Sequence, residues 1–246
     1  MQEQEYQIYG IRAVMEALEA GKTLDKVFVQ KGLQGNLFRE LLSLLQQAQV
    51  PVQYVPVEKL NRLTKKNHQG VVATLSPVDY HNFEDLVISV TESGATPLFL
   101  LLDHLSDVRN FGAIIRTAEC AGVSGIIIPK RGSVSITADT VKTSAGAVFR
   151  VPICKVDNLV DAVYYLQGSG IRVVAATEKT NQLLYTEDFT VPTAIVMGAE
   201  DVGISPAVLK VVDSKAKLPM KGEIGSLNVS VACAVFLYEV VRQRGN

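Results

Sequence analysis

Three short stretches carry residue types able to handle a polar or anionic ligand. They are LSDVRNFGAIIRT (105–117), VMGAEDVGIS (196–205) and LPMKGEIGSLNVS (218–230). In the first, Asn110 is a natural helix N-cap. Gly112 permits a close backbone approach. Arg116 either pairs with Glu119 one turn later or faces an anion. In the second, Gly198 directly follows an apolar run and would let a ligand lie against the backbone, while Glu200 and Asp201 also suit an ordinary acidic turn. In the third, Ser226 can cap the helix that follows, and free N–H groups at a helix start can hold a polar or anionic group. Asn228 donates and accepts at once, which suits an amide, a carboxylate or a ribose hydroxyl. No Walker sequence, GxGxxG fingerprint or GxSxG elbow occurs.

The three stretches follow apolar runs that read as strands. From residue 97 onward, LFLLLDH, GIIIP, FRVPICKV, IRVVAAT, TAIVMG and a shorter KAKLPM alternate with helical patterns. Continuous apolar runs of this kind predict a mostly parallel sheet with helices on both faces. Ligands of such sheets bind beyond the carboxyl ends of the strands, where all three stretches lie. Residues 1–76 read as a smaller α/β domain, with helices in YGIRAVMEALEAG, GNLFRELLSLLQQAQV and PVEKLNRLTKK and strands in KVFVQ, PVQYV and GVVATL. Gly21 is placed to end the first of these helices. Residues 77–96, flanked by Pro77 and Pro97, read as a linker carrying one short helix.

With 246 residues, 48% hydrophobic and 20% charged, the chain has material for a sizeable core. A net charge of −1 announces no polyanionic partner in the total, and leaves room for a local basic patch. Cys120, Cys154 and Cys233 are scattered and odd in number, which argues against a disulfide framework or a metal site. Reduced thiols, an N-terminus without a signal-peptide pattern and no apolar run of about 20 residues lead us to expect a cytoplasmic protein outside the membrane.

NFGAIIRTAECAGV, IVMGAEDVGIS and LPMKGEIGSLNVSVACAVFLYE together resemble the three ordered motifs of the SpoU family of RNA ribose 2′-O-methyltransferases, of the SPOUT class. The first half, ending in NHQGVVATL, is similar to the L30e-like RNA-binding domain of some members. The resemblance is strongest to the branch that methylates a guanosine of bacterial 23S rRNA. It implies a deep trefoil knot in 97–246, S-adenosylmethionine as cofactor, no metal, and a homodimer with its sites near the subunit interface. One departure is SDVRN, where many members have a proline near the asparagine. Alternative readings are a tRNA ribose 2′-O-methyltransferase and a non-catalytic RNA-binding relative. A dehydrogenase is disfavoured by the missing glycine fingerprint.

Carried over residue by residue, Asn110, Arg116, Glu200, Ser226 and Asn228 match the catalytic region. Gly198, Leu218 and Leu227 match cofactor contacts, with Thr177, Glu178, Met197 and Asn228 expected at the same pocket. The resemblance casts Arg116 as the central catalytic residue. A guanidinium stays protonated and has no acceptor, so its expected role is to hold an RNA phosphate and stabilise the developing alkoxide. The proton acceptor is unassigned, and His81 and His104 receive no role. In EKLNRLTKKNHQG, the residues Lys59, Arg62, Lys65, Lys66 and His68 form a basic run that alone suits a solvated helix face. Beside the L30e-like resemblance, Arg62, Lys65, Lys66 and His68 become candidate RNA contacts.

Overall fold

The computed structural model describes residues 7–223 and 225–245. The chain divides into two compact units, one up to Asp79 together with Ser135–Ala138, the other comprising Tyr80–Val134 and Asp139 onward.

In the first unit the chain runs β1 (Gln7–Tyr9), α1 (Ile11–Glu19), β2 (Leu24–Gln30), α2 (Asn36–Gln47), β3 (Val52–Val55), α3 (Val57–Leu63) and β4 (Val71–Leu75). The sheet order is β1-β4-β2-β3, with β4 antiparallel to both neighbours and β2 parallel to β3. Successive strand residues face opposite sides. Val27, Val29, Val71 and Ala73 therefore pack with Val14, Phe38, Leu41 and Leu45 of α1 and α2. Val72 and Phe28 turn to the other face and meet Leu60 of α3. Gly21, at φ 70°, follows the end of α1 as a C-terminal glycine should. The strand β1 is an addition to the sequence reading. Pro56 lies just before α3 as its N-cap.

The second unit opens on α4 (Phe83–Glu92). The stretch read as a linker is therefore partly core. Asn82 accepts from the Asp85 N–H to cap α4, and Phe83 and Val87 are buried against the sheet. Then come β5 (Leu98–Asp103), α5 (Val108–Cys120), β6 (Gly125–Pro129), α6 (Ala138–Thr143), β7 (Ile153–Val156), α7 (Leu159–Gly168) and β8 (Arg172–Ala176). The chain closes with β9 (Thr193–Gly198), α8 (Pro206–Val211), β10 (Ser214–Ala216) and α9 (Val229–Arg244). Six strands pair in the order β10-β8-β9-β5-β6-β7, every pair parallel. Phe99, Leu101, Val173, Ala175, Ala194 and Val196 share a core with α4, α7 and α8. Alternate residues, among them Leu100, Val174 and Ile195, are equally buried, and α9 packs against β9 and α5. Both sheet faces are thus covered, which is why these strands read as unbroken apolar runs.

The fully buried Cys233 and the buried Cys154 are pushed up to about 12 by loss of water, so neither is a thiolate at neutral pH. Among the described residues no helix is long and apolar enough to cross a membrane, and no cluster of His, Cys, Asp or Glu could hold a metal ion.

The far end of α9 is locked. The Arg244 guanidinium donates to the carbonyls of Phe189 (2.9 Å), Thr96 (2.8 Å), Pro97 (3.0 Å) and Val191 (2.9 Å), just ahead of β9 and β5. Gln243 adds bonds to the Glu187 carbonyl and the Phe189 N–H. Burial draws Arg244 below the ordinary guanidinium value, a cost the four carbonyls offset. Arg244→Ala should therefore destabilise the protein by about 2–4 kcal/mol. Arg244→Lys should recover only part of this, since one ammonium cannot span the fork. Chemical denaturation of the three proteins checks both expectations.

Candidate active site

Three chain segments meet at the carboxyl edge of the six-stranded sheet: the β5 exit into α5, the β9 exit, and the start of α9. Their meeting point is one carboxylate oxygen. Glu200 Oε1 accepts from Asn110 Nδ2 (3.2 Å), Asn228 Nδ2 (2.5 Å) and the Val229 backbone N–H (3.1 Å). The two amides also bond each other, Asn228 Nδ2 to Asn110 Oδ1 at 3.0 Å. Asn110, Glu200 and Asn228, expected together from the sequence, are brought together here.

The caps differ from the sequence reading, and the difference frees Asn110 for the site while giving Asn228 a second task. Asp107, not Asn110, caps α5, accepting the Asn110 N–H at 2.7 Å. Asn110 lies a turn inside, with its side chain free to reach Glu200. At α9 the cap is Asn228, not Ser226: Asn228 Oδ1 accepts the N–H groups of Ser230 (3.0 Å) and Val231 (3.4 Å) and the Ser230 hydroxyl. The Asn228 amide is split between the two tasks, its oxygen turned to the helix and its nitrogen to Glu200.

Arg116 is exposed, and no described residue gives it a hydrogen bond or ion pair. The alternative pairing with Glu119 is absent; Glu119 instead lies 3.7 Å from Arg150. Gly112 meets its expectation of close approach: an added Cβ would lie 1.9 Å from Thr143 Oγ1, so α5 and α6 touch there.

A support missed in the sequence is Asp103, which ends the apolar LFLLL run and is 1% exposed. Its Oδ2 accepts the Ser205 N–H at 2.7 Å and its Oδ1 pairs with His104 Nδ1 at 2.5 Å, tying the β5 exit to the far end of the Glu200 loop. An acidic residue closing an otherwise apolar central strand was the available signal. His104 has φ 57°, in the left-handed region.

Beside the cluster lies a cavity of about 830 Å³. It is lined by Thr177 and Glu178 beyond β8, Met197, Gly198 and Glu200 from the β9 exit, Leu218 beyond β10, and Ser226 and Leu227 before α9. Asn110, Arg116 and Asn228 are not among its lining residues, so Asn228 is a rim residue rather than a wall of the pocket. Thr177 is 8% exposed, its N–H bonded to the Ala216 carbonyl and its hydroxyl accepting the Lys179 N–H. Gly198 lines the cavity, as its position suggested, and has a second task as well. Its missing side chain makes room for the protein's own loop: a Cβ would lie 2.2 Å from the Gly203 carbonyl carbon and 2.3 Å from Ile204 N. The loop folds back there, with the Gly203 N–H on the Ala199 carbonyl and φ 70° at Gly203.

In the first unit, Arg62, Lys65 and Lys66 are exposed, and the ammonium of Lys66 lies 5.9 Å from the Tyr9 ring centre and that of Lys59 5.1 Å from Phe28. His68 is withdrawn from this surface. It is 9% exposed; Nδ1 accepts the Gly70 N–H at 3.0 Å, which leaves Nε2–H to donate to Asn61 Oδ1 at 2.9 Å. Both ring nitrogens are used, so the ring braces the turn into β4 and has nothing left for RNA.

Residues 97–238 match the SpoU rRNA Methylase family, and residues 7–81 match the RNA 2′-O ribose methyltransferase substrate-binding family. The chain belongs to the SpoU rRNA methylase family. It is 38% identical over 242 residues to a Staphylococcus saprophyticus protein assigned to the TrmH family of tRNA/rRNA methyltransferases, covering 98% of this chain and 97% of that one. The AdoMet-bound rRNA methyltransferase of Sinorhizobium meliloti superposes with a TM-score of 0.61 at 25% identity, covering 96% of this chain and 87% of that one. The SpoU methyltransferase AviRb of Streptomyces viridochromogenes, in complex with AdoMet, gives a TM-score of 0.60 at 26% identity, covering 97% and 90%.

As a SpoU protein the chain is an S-adenosylmethionine-dependent RNA methyltransferase, and the cavity fits that molecule. Its volume lies in the range of small-molecule sites. Among its lining residues, Met197, Leu218, Leu227 and Phe236 would offer apolar contact to an adenine, and Glu178, Glu200 and Asp201 would offer acceptors to hydroxyls and negative charge to a sulfonium. Gly198→Ala should displace the loop that carries Glu200. The expected result is a loss of about 1–3 kcal/mol of stability together with weaker S-adenosylmethionine binding, read by thermal denaturation and titration calorimetry.

Proposed function

We propose that the chain methylates a ribose 2′-hydroxyl in RNA, with a guanosine of 23S rRNA as its target. The observation that carries this reading is the Glu200 cluster on the cavity rim, with an arginine, paired by no described residue, further along the helix that bears Asn110. Hydroxyl methylation needs little else from the protein. Bound S-adenosylmethionine supplies an activated methyl group. The chain must align the hydroxyl with it, hold the strand, and stabilise the oxygen as its proton passes to solvent and the methyl–sulfur bond breaks to leave a neutral thioether. Asn110 and Asn228, held rigidly by Glu200, position the ribose. Arg116 grips the adjoining phosphate bidentately and stabilises the developing alkoxide. Thr177, Glu178, Met197, Gly198, Leu218 and Leu227 hold the donor, and Ser226 shapes the wall between donor and ribose. The match of residues 7–81 to a ribose 2′-O substrate-binding family supports the ribose over a base and the first unit as the RNA anchor.

The tRNA reading is kept as the competing substrate, because the Staphylococcus relative carries both RNAs in its name. Strand β9 lies between β8 and β5, and α9 returns to β9 and α5, an order that supports the deep trefoil knot. Val231 and Tyr238, exposed at 49% and 51% two turns apart on α9, support a homodimer built on that face. A cytoplasmic site of action goes with an RNA substrate.

Labelled methyl transfer to 23S rRNA fragments and to tRNA, followed by mapping of the modified nucleoside, tests the reading. Methylation of a base, or of neither RNA, would overturn it. Arg116→Ala should lower turnover by about 100-fold or more while S-adenosylmethionine binding persists. Replacing Lys65 and Lys66 together by Glu should weaken RNA binding and flatten its salt dependence by about 1–2 in the log–log slope. An unchanged slope would exclude phosphate contact there.

A further inference from the structure

One large apolar side chain near α5 has no place in the site described above. Phe149 is 60% exposed, on a one-turn 3₁₀ helix (Ala147–Phe149) that packs on α5. Its neighbours Ala147 and Val148 are buried, so this turn is fixed to the core and holds the ring outward. Arg150 follows, with a side chain 76% exposed and only a loose 3.7 Å approach to Glu119. Glu119 lies one turn beyond Arg116 on α5. Arg109 lies two turns before Arg116, on the same helix face and also exposed. An exposed aromatic ring and an exposed guanidinium, Phe149 and Arg150, thus stand on a turn packed on α5, the helix whose one face carries exposed Arg109 and Arg116.

We propose that Phe149 is a base-stacking platform and that Arg109, Arg116 and Arg150 track the phosphates of the same single strand of RNA. The assignment rests on the ribose-methylation reading and extends it: the substrate would be taken as unpaired strand, one nucleotide stacked on Phe149 beside the one whose ribose is methylated. The pairing of features is what single strands require. Phosphates need cations, and an unstacked base needs an aromatic face, whereas a duplex offers no free base to cover the ring. Charge complementarity favours RNA, because exposed guanidiniums suit a polyanion.

The chain has no tryptophan, so Phe149→Trp installs a single fluorescent reporter at this surface site. Its emission should be quenched saturably by a single-stranded oligoadenylate and much less by the same strand in a duplex. Phe149→Ala should raise the dissociation constant for the single strand about tenfold, with S-adenosylmethionine affinity and oligomeric mass unchanged. Emission that ignores RNA while the protein still methylates its substrate would overturn this proposal alone. So would emission that follows protein dilution together with the sedimenting mass, for the surface would then belong to a second copy. Failure of the wild-type chain to methylate any RNA would instead overturn the functional reading beneath it.

Discussion

A single carboxylate oxygen organises this enzyme. Glu200 Oε1 collects two side-chain amides and one backbone N–H from segments that are remote in the chain. Hydrogen bonds to an ionised acceptor are stronger than neutral ones, and this acceptor lies at the start of α9, where the helix dipole favours negative charge. The bond network fixes Asn110 and Asn228 relative to each other through the Asn228–Asn110 contact as well. A methyl transfer that depends on alignment gains from such rigidity, because misplacement by a fraction of a bond length is costly.

The surrounding fold can be understood as what allows that convergence. Parallel strands β5 and β9 are neighbours, with Asp103 opposite Gly198 at their ends. Their exits therefore leave the sheet side by side. The Glu200 loop can double back only because Gly198 has no side chain, and it stays there because buried Asp103 holds its far end at Ser205. Helix α9 brings the third partner and is pinned at both ends, by Asn228 and Glu200 at the carboxyl edge of the sheet and by Arg244 at the opposite edge. The same helix thus closes the site and fastens the core.

Local patterns were legible in the sequence. The unbroken apolar runs LFLLL and TAIVM announced central parallel strands, and the helical patterns of α5 and α7 announced their covers. Short or half-buried pieces were not: β1 has three partly buried residues, QIY, and too little periodicity to register. Caps were misplaced by a few residues at α5 and α9, because Asp, Asn and Ser all cap well and several stand close together. His68 looked like part of a basic surface because only the fold shows Asn61 and Gly70 reaching its ring. The stretch 77–96 has a connector's composition, yet Phe83 and Val87 find a sheet face to bury against.

By itself the sequence determined most of the strands and helices, the order of three polar strand exits, and through its motifs the SpoU family and its cofactor. These depend on periodicity and on side-chain types at short range. Only the tertiary structure decided which polar residues touch. Asn110, Glu200 and Asn228 are far apart along the chain, and their contact follows from β9 lying beside β5 and α9 returning across the sheet. That order is set by which apolar faces bury each other, a property of the whole core rather than of any segment. The same packing decided that the space at Gly198 holds backbone and that no described residue pairs with Arg116, both invisible in a string of residues.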